Sequence, residues 1–151
     1  MSRRPLYAWG TTVLVGQSIA EIRKLLKQHG ANRIAHAEGP EGDWVQFQLG
    51  RMHFRFEVAR PVWDDIADWF QRAGDGRARI EAEYRRRWRA RVLWTKAQLE
   101  FADGDDREAA RAMLAYLVLP AGQTFEKWAV PQIESMYESG RMPPLLGSGT
   151  Q

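Results

Sequence analysis

Two stretches of strict apolar–polar alternation flank the dipeptide Gly50-Arg51. In 44–49 one face carries Val45, Phe47 and Leu49, and in 52–58 one face carries Met52, Phe54, Phe56 and Val58. A period of two sends successive side chains to opposite faces of a strand. A two-residue connection with glycine first is a hairpin loop. That loop sets Leu49 opposite Met52, Phe47 opposite Phe54 and Val45 opposite Phe56, so turn and pattern demand the same register. The opposite face presents Trp44, Gln46, Gln48, His53, Arg55 and Glu57. There Trp44, beside Gln46, His53 and Arg55, would make a flat surface suited to stacking a base. A sheet with one apolar face has to be covered, and the rest of the chain reads mainly as helix.

Ser18-Ile19-Ala20-Glu21 reads as a capping box. Ile19, Ile22, Leu25, Leu26 and His29 follow at helical spacing until Gly30, with Arg23, Lys24 and Lys27 facing outward. Before this helix, 11–15 is a short β-type run; after it, 32–38 is a strand with poor alternation, closed by the turn Gly39-Pro40-Glu41-Gly42. Beyond Pro61, residues 62–73 read as a helix with Trp63, Ile66, Ala67 and Phe70 inward. Gly74-Asp75-Gly76 marks a hinge between two parts of one domain, 1–73 and 77–151. Helices are expected over 77–102, over 106–117 and from Thr124 to about 138, the last kinked by Pro131. The expected fold is α+β: a small antiparallel sheet with one N-terminal helix, followed by a helical C-terminal half.

At 151 residues, 44% hydrophobic and 27% charged, the chain is large enough for one domain with a real core. The absence of cysteine excludes disulfides, thiolate metal sites and cysteine nucleophiles. No apolar run approaches the roughly 18 residues of a membrane span. Met1-Ser2-Arg3-Arg4-Pro5 leads into a stretch too short and polar for a signal peptide. The expectation is a cytoplasmic protein with no membrane partner.

The net charge of +3 is unevenly placed. Residues 1–76 hold ten Lys/Arg against nine Asp/Glu, 77–96 hold eight against two, and 97–151 hold four against eight. The three parts therefore carry +1, +6 and −4. Eighteen of the 22 basic residues are arginine, whose planar fork binds phosphate and stacks on bases.

Along the 77–102 helix, Ile80, Tyr84, Trp88, Val92 and Leu99 form an apolar stripe, with Arg85, Arg89 and Lys96 beside it. Leu93, Trp94, Ala97 and Phe101 add a second apolar face, which predicts deeper burial of the C-terminal half. Glu81 lies four before Arg85, and Glu83 four before Arg87. On this pairing Arg86, Arg89 and Arg91 are left without acidic partners. Unpaired arginines beside Trp88 suit phosphate binding with base stacking; they equally suit a salt network with the acidic third of this chain or of another subunit.

No P-loop, GxGxxG, HExxH or GxSxG motif is present. His29 sits at a helix C-terminus, where positive charge is favoured. His36 and His53 approach each other if their strands are neighbours, with Glu38 or Glu57 nearby, but the spacing assigns no metal ligand set. Asp64, Asp65 and Asp68 read as a solvated helix face. Asp103, Asp105 and Asp106 lack the glutamate that closes a calcium loop, since position 114 is Leu. No catalytic residue and no cofactor are expected.

Four segments carry a resemblance: Arg86-Arg87-Trp88-Arg89-Ala90, Lys96-Ala97-Gln98-Leu99-Glu100, Leu114-Ala115-Tyr116-Leu117-Val118-Leu119-Pro120, and Met136-Tyr137-Glu138-Ser139-Gly140-Arg141-Met142-Pro143-Pro144-Leu145-Leu146. Together with the first helix and the hairpin, they resemble a family of small phage and prophage proteins. The resemblance implies a mobile-element setting, in which small basic proteins serve DNA replication, recombination or defence evasion, and it transfers no functional residue. The element order is also similar to the double-stranded-RNA-binding domain, without that domain's lysine-rich last helix. It resembles a Rad52-like strand-annealing core in topology only.

The function expected from these readings is non-enzymatic binding of nucleic acid, single-stranded DNA first, in support of strand annealing, recombination or replication. The residues are Arg85, Arg86, Arg89, Arg91 and Lys96 with Trp88, aided by Lys24, Lys27, Arg55 and Trp44. The alternative is a protein-interaction module, an inhibitor or regulator of a host protein or a homo-oligomer, that docks through the extended tail Met142, Pro143, Pro144, Leu145 and Leu146. A metal-dependent nuclease is a third reading.

Overall fold

The computed structural model describes residues 5–70 and 74–142. Helix α1 (Val15–Gln28) precedes three strands, β1 (Asn32–Ala37), β2 (Gly42–Leu49) and β3 (Met52–Ala59). A one-turn helix α2 (Trp63–Ile66) runs into a 3-10 turn over Ala67–Trp69. The long helix α3 (Gly76–Ala102), α4 (Asp106–Ala112), a 3-10 turn over Leu114–Tyr116 and α5 (Phe125–Ser139) follow among the described residues. The order is α+β, as the periodicities predict.

The sheet is antiparallel with β2 central. Its hairpin has the register that alternation and turn require: Leu49 pairs with Met52, Phe47 with Phe54 and Val45 with Phe56. Gly50 supplies the positive φ of 57° that the first loop position needs. The weak alternation of β1 has a local cause, because Arg33 adopts a φ of 50° and the pairing to β2 shifts between Asn32 and Ala35.

Against the apolar sheet face lie α1, through Ile19, Ile22 and Leu26, and α3, through Tyr84, Trp88, Val92 and Leu99. One core therefore draws on both sides of the Gly74-Asp75-Gly76 segment. The Asp75 carboxylate caps α3 by accepting from the N–H groups of Arg77 and Ala78.

Five local expectations are corrected. Residues 11–14 are not a strand, and α1 begins at Val15, before Ser18. Gln17 provides the reciprocal cap, its Oε1 accepting from Leu14 N–H at 3.0 Å, and Ser18 is buried instead. The 62–73 helix is only α2 and a 3-10 turn before residues 71–73, which lie outside the described residues. The 106–117 helix ends as α4 at Ala112. Finally, the second apolar face of α3 is only partly covered: Trp94 packs on Phe56 and Tyr116, while Leu93 is 47% and Phe101 74% exposed.

Candidate interaction surfaces

The arginines of α3 from Arg85 to Arg91 are engaged rather than free. Arg86 donates through Nε and Nη2 to the Glu83 carboxylate, both at 2.8 Å, and Arg87 Nε donates to the same carboxylate at 3.2 Å. Arg89 Nη1 donates to Glu21 on α1 at 2.6 Å. Arg85 Nε reaches the Thr11 carbonyl at 3.4 Å. The Arg91 guanidinium lies 5.6, 4.9 and 4.8 Å from the ring centres of Phe56, Trp94 and Tyr116, which also pack edge to face on one another. Trp88 is wholly buried and offers no face for a base.

The expected water-facing cluster at Arg86, Arg89 and Arg91 with Trp88 is therefore corrected. The physical reason is that α3 packs against both the sheet and the neighbouring α1. Charges partly removed from water need partners, and the chain supplies a buried glutamate, a glutamate from α1 and an aromatic box. None of these acids comes from 97–151, so the acidic third is left with its own surplus. Lys24, Lys27 and Lys96 are exposed and form no ion pair among the described residues.

The outer face of the hairpin is also occupied. Arg55 donates to Gln46 Oε1 at 3.1 Å and to the Gly122 carbonyl at 3.2 Å, with its guanidinium 5.9 Å from the Trp44 ring. The segment leading to α5 lies along β3, where Val118 N–H donates to the His53 carbonyl at 2.8 Å. Trp44 is half-buried in a recess of about 480 Å³ that Tyr116 and Thr124 also line.

His36 and His53 do not meet. They stand on the two outer strands with β2 between, and their partners, Val45 and Gln48, point to opposite faces. At the β1–β2 edge, Asp43 is buried. Its backbone N–H donates to the Tyr84 hydroxyl at 2.7 Å, and that hydroxyl donates to Asp43 Oδ1 at 3.1 Å. Burial raises the Tyr84 pKa above its ordinary value.

Helix α5 is the least covered element. Its N-terminal end is tied down by Phe125 N–H on the Leu117 carbonyl at 2.8 Å and by Lys127 on Glu57 at 2.8 Å. Pro131 removes one helical donor, and the Gln132 side chain donates to the Trp128 carbonyl at 2.9 Å. Of its 15 residues only Ala129 is buried. Val130, Ile133 and Tyr137 are exposed, Tyr137 to 87%. Their i, i+3, i+7 spacing gathers them within an arc of roughly 60° on one side of the helix. Glu126 lies on the same face one turn before Val130, and Glu134 lies beside the stripe. The same stripe is visible on a helical wheel of 125–139. In the tail, Met142 is 74% exposed, while Pro143, Pro144, Leu145 and Leu146 lie outside the described residues.

No described helix is long and apolar enough to cross a membrane. Comparison with protein-family models, with curated proteins and with solved structures finds no match to this chain.

Proposed function

We propose that this chain is a non-enzymatic protein-interaction module whose docking element is α5, and that α5 pairs with a second copy of the chain. One observation carries the reading: a 15-residue helix that buries a single residue and keeps Val130, Ile133 and Tyr137 in water. Isolated helices of this length are marginal in water and take their stability from a packed apolar face. An antiparallel α5 pair sets Val130 against the partner's Tyr137 and Glu126 against the partner's Arg141. This arrangement is self-complementary, as a two-fold interface requires. Burying aliphatic side chains gives about 1.5–3 kcal/mol each, set against an association cost of about 4–15 kcal/mol. Six such side chains buried across the pair offset that cost by a small margin, so pairing is expected to be weak, micromolar or above.

Light scattering across micromolar concentrations tests the reading. The expected result is a dimer for the native chain and a monomer with unchanged circular dichroism for Val130→Asp/Tyr137→Asp. A native chain that stays monomeric overturns it. So does a dimer that survives that double variant and dissolves in Phe101→Asp, which would place the interface on α3.

Nucleic-acid binding stands as a second reading, on a different surface from the one the arginines suggested. It is favoured by the outer face of α1, where Lys24 and Lys27 stand exposed, with Lys96 exposed on the neighbouring α3. Lys24→Glu/Lys27→Glu/Lys96→Glu is expected to abolish salt-sensitive binding of single-stranded DNA in a shift assay. Native protein that leaves the DNA unshifted at low salt removes this reading.

A further inference from the structure

We infer that the β1–β2 edge holds a first-row divalent cation through His36, Glu38 and Asp43. A ligand atom from each of the three lies within 4.8 Å of the others. The pair His36 Nε2 and Asp43 Oδ2 stands 3.2 Å apart. Two ligands at bonds of about 2.0–2.2 Å around a tetrahedral cation are roughly 3.3–3.5 Å apart, so this edge of the polyhedron is already at length. Glu38 is exposed and long enough to close the third position by a side-chain rotation.

The backbone brings the three together. Asp43 and Val45 alternate on the core-facing side of β2, and Val45 pairs with His36. Glu38 follows two residues after His36, one residue past the end of β1. Behind Asp43 stands the support that metal carboxylates require: the Tyr84 hydroxyl donates to Oδ1 at 3.1 Å and leaves Oδ2 turned toward His36. The three groups line a recess of about 470 Å³, with room for water at an open coordination position. Arg60 is the cation in its wall. Its charge is met by Glu81 at 2.9 Å, and its guanidinium lies over the Tyr84 ring at 4.5 Å. A neutral imidazole with two carboxylates balances a divalent ion, and this mixed nitrogen–oxygen set suits zinc, manganese or iron rather than calcium.

Calorimetric titration of the full untagged chain with zinc chloride tests the site. The expected result is one zinc per chain. Binding is lost in His36→Ala, weakened at least tenfold in Glu38→Gln and unchanged in His53→Ala. Glu38 is exposed and carries no fold contact, so its variant reports on the site even where His36→Ala perturbs folding. Absence of binding by the native chain at sub-millimolar zinc, or equal affinity in Glu38→Gln and the native chain, overturns the assignment.

Discussion

The two ends of the helical half treat their side chains in opposite ways. Along α3 nearly every arginine is satisfied: Arg86 and Arg87 share Glu83, Arg89 crosses to Glu21, and Arg91 is boxed by Phe56, Trp94 and Tyr116. Along α5 the reverse holds, with apolar side chains in water and Glu134 and Glu138 exposed on the same helix. A high density of charge marked the region that turns out to be internally complete. The unfinished region is an unremarkable amphipathic helix. Local charge surplus is a poor guide to where a protein meets its partners, because a helix that enters a core brings its own counter-charges.

The contrast is broken most forcefully by truncation. Phe47→Ala, at the centre of the sheet face, is expected to cost about 3–5 kcal/mol in denaturant unfolding. Tyr137→Ala should stay within about 0.5 kcal/mol for the monomer. Comparable losses at the two sites would show that α5 is part of the core.

A smaller effect sharpens the arginine side. Glu83 is buried and holds two guanidinium groups, so Glu83→Gln is expected to cost about 2–3 kcal/mol. That is below the ~3–5 kcal/mol of a fully buried pair, because Arg86 and Arg87 keep some contact with water. A neutral result would mean that these ion pairs are ornamental and the arginines are free for other anions.

The smallest effect is alkaline. Because burial raises the Tyr84 pKa in the folded state, its contribution is complete below the ordinary value of 10.0 and is lost as pH rises through the higher folded value. From pH 10.0 up to that folded value, stability should fall more steeply in the native chain than in Tyr84→Phe, as thermal melts over a pH series would record.

Much of the fold was legible because its signals are local. The period of two and the glycine-first loop determine the β2–β3 register with no outside information, and the stripe Tyr84–Trp88–Val92–Leu99 faces the core as its spacing requires. The partners of the arginines were legible only in part. Glu83 lies three residues before Arg86 and four before Arg87, both within helical spacing. Glu21 is 68 residues from Arg89, and the box around Arg91 joins β3, α3 and the turn at Tyr116, so neither has a sequence period to reveal it. His36 and Asp43 meet by cross-strand register, which β1's irregular pairing concealed.

Amide hydrogen exchange of α5 at low and high micromolar protein concentration tests the central claim most directly. Residues 130–139 should exchange rapidly in dilute solution and become protected as concentration rises, with no such gain in Val130→Asp/Tyr137→Asp. Protection of that segment that is the same at both concentrations, or its absence at both, would contradict the pairing of α5 with a second copy.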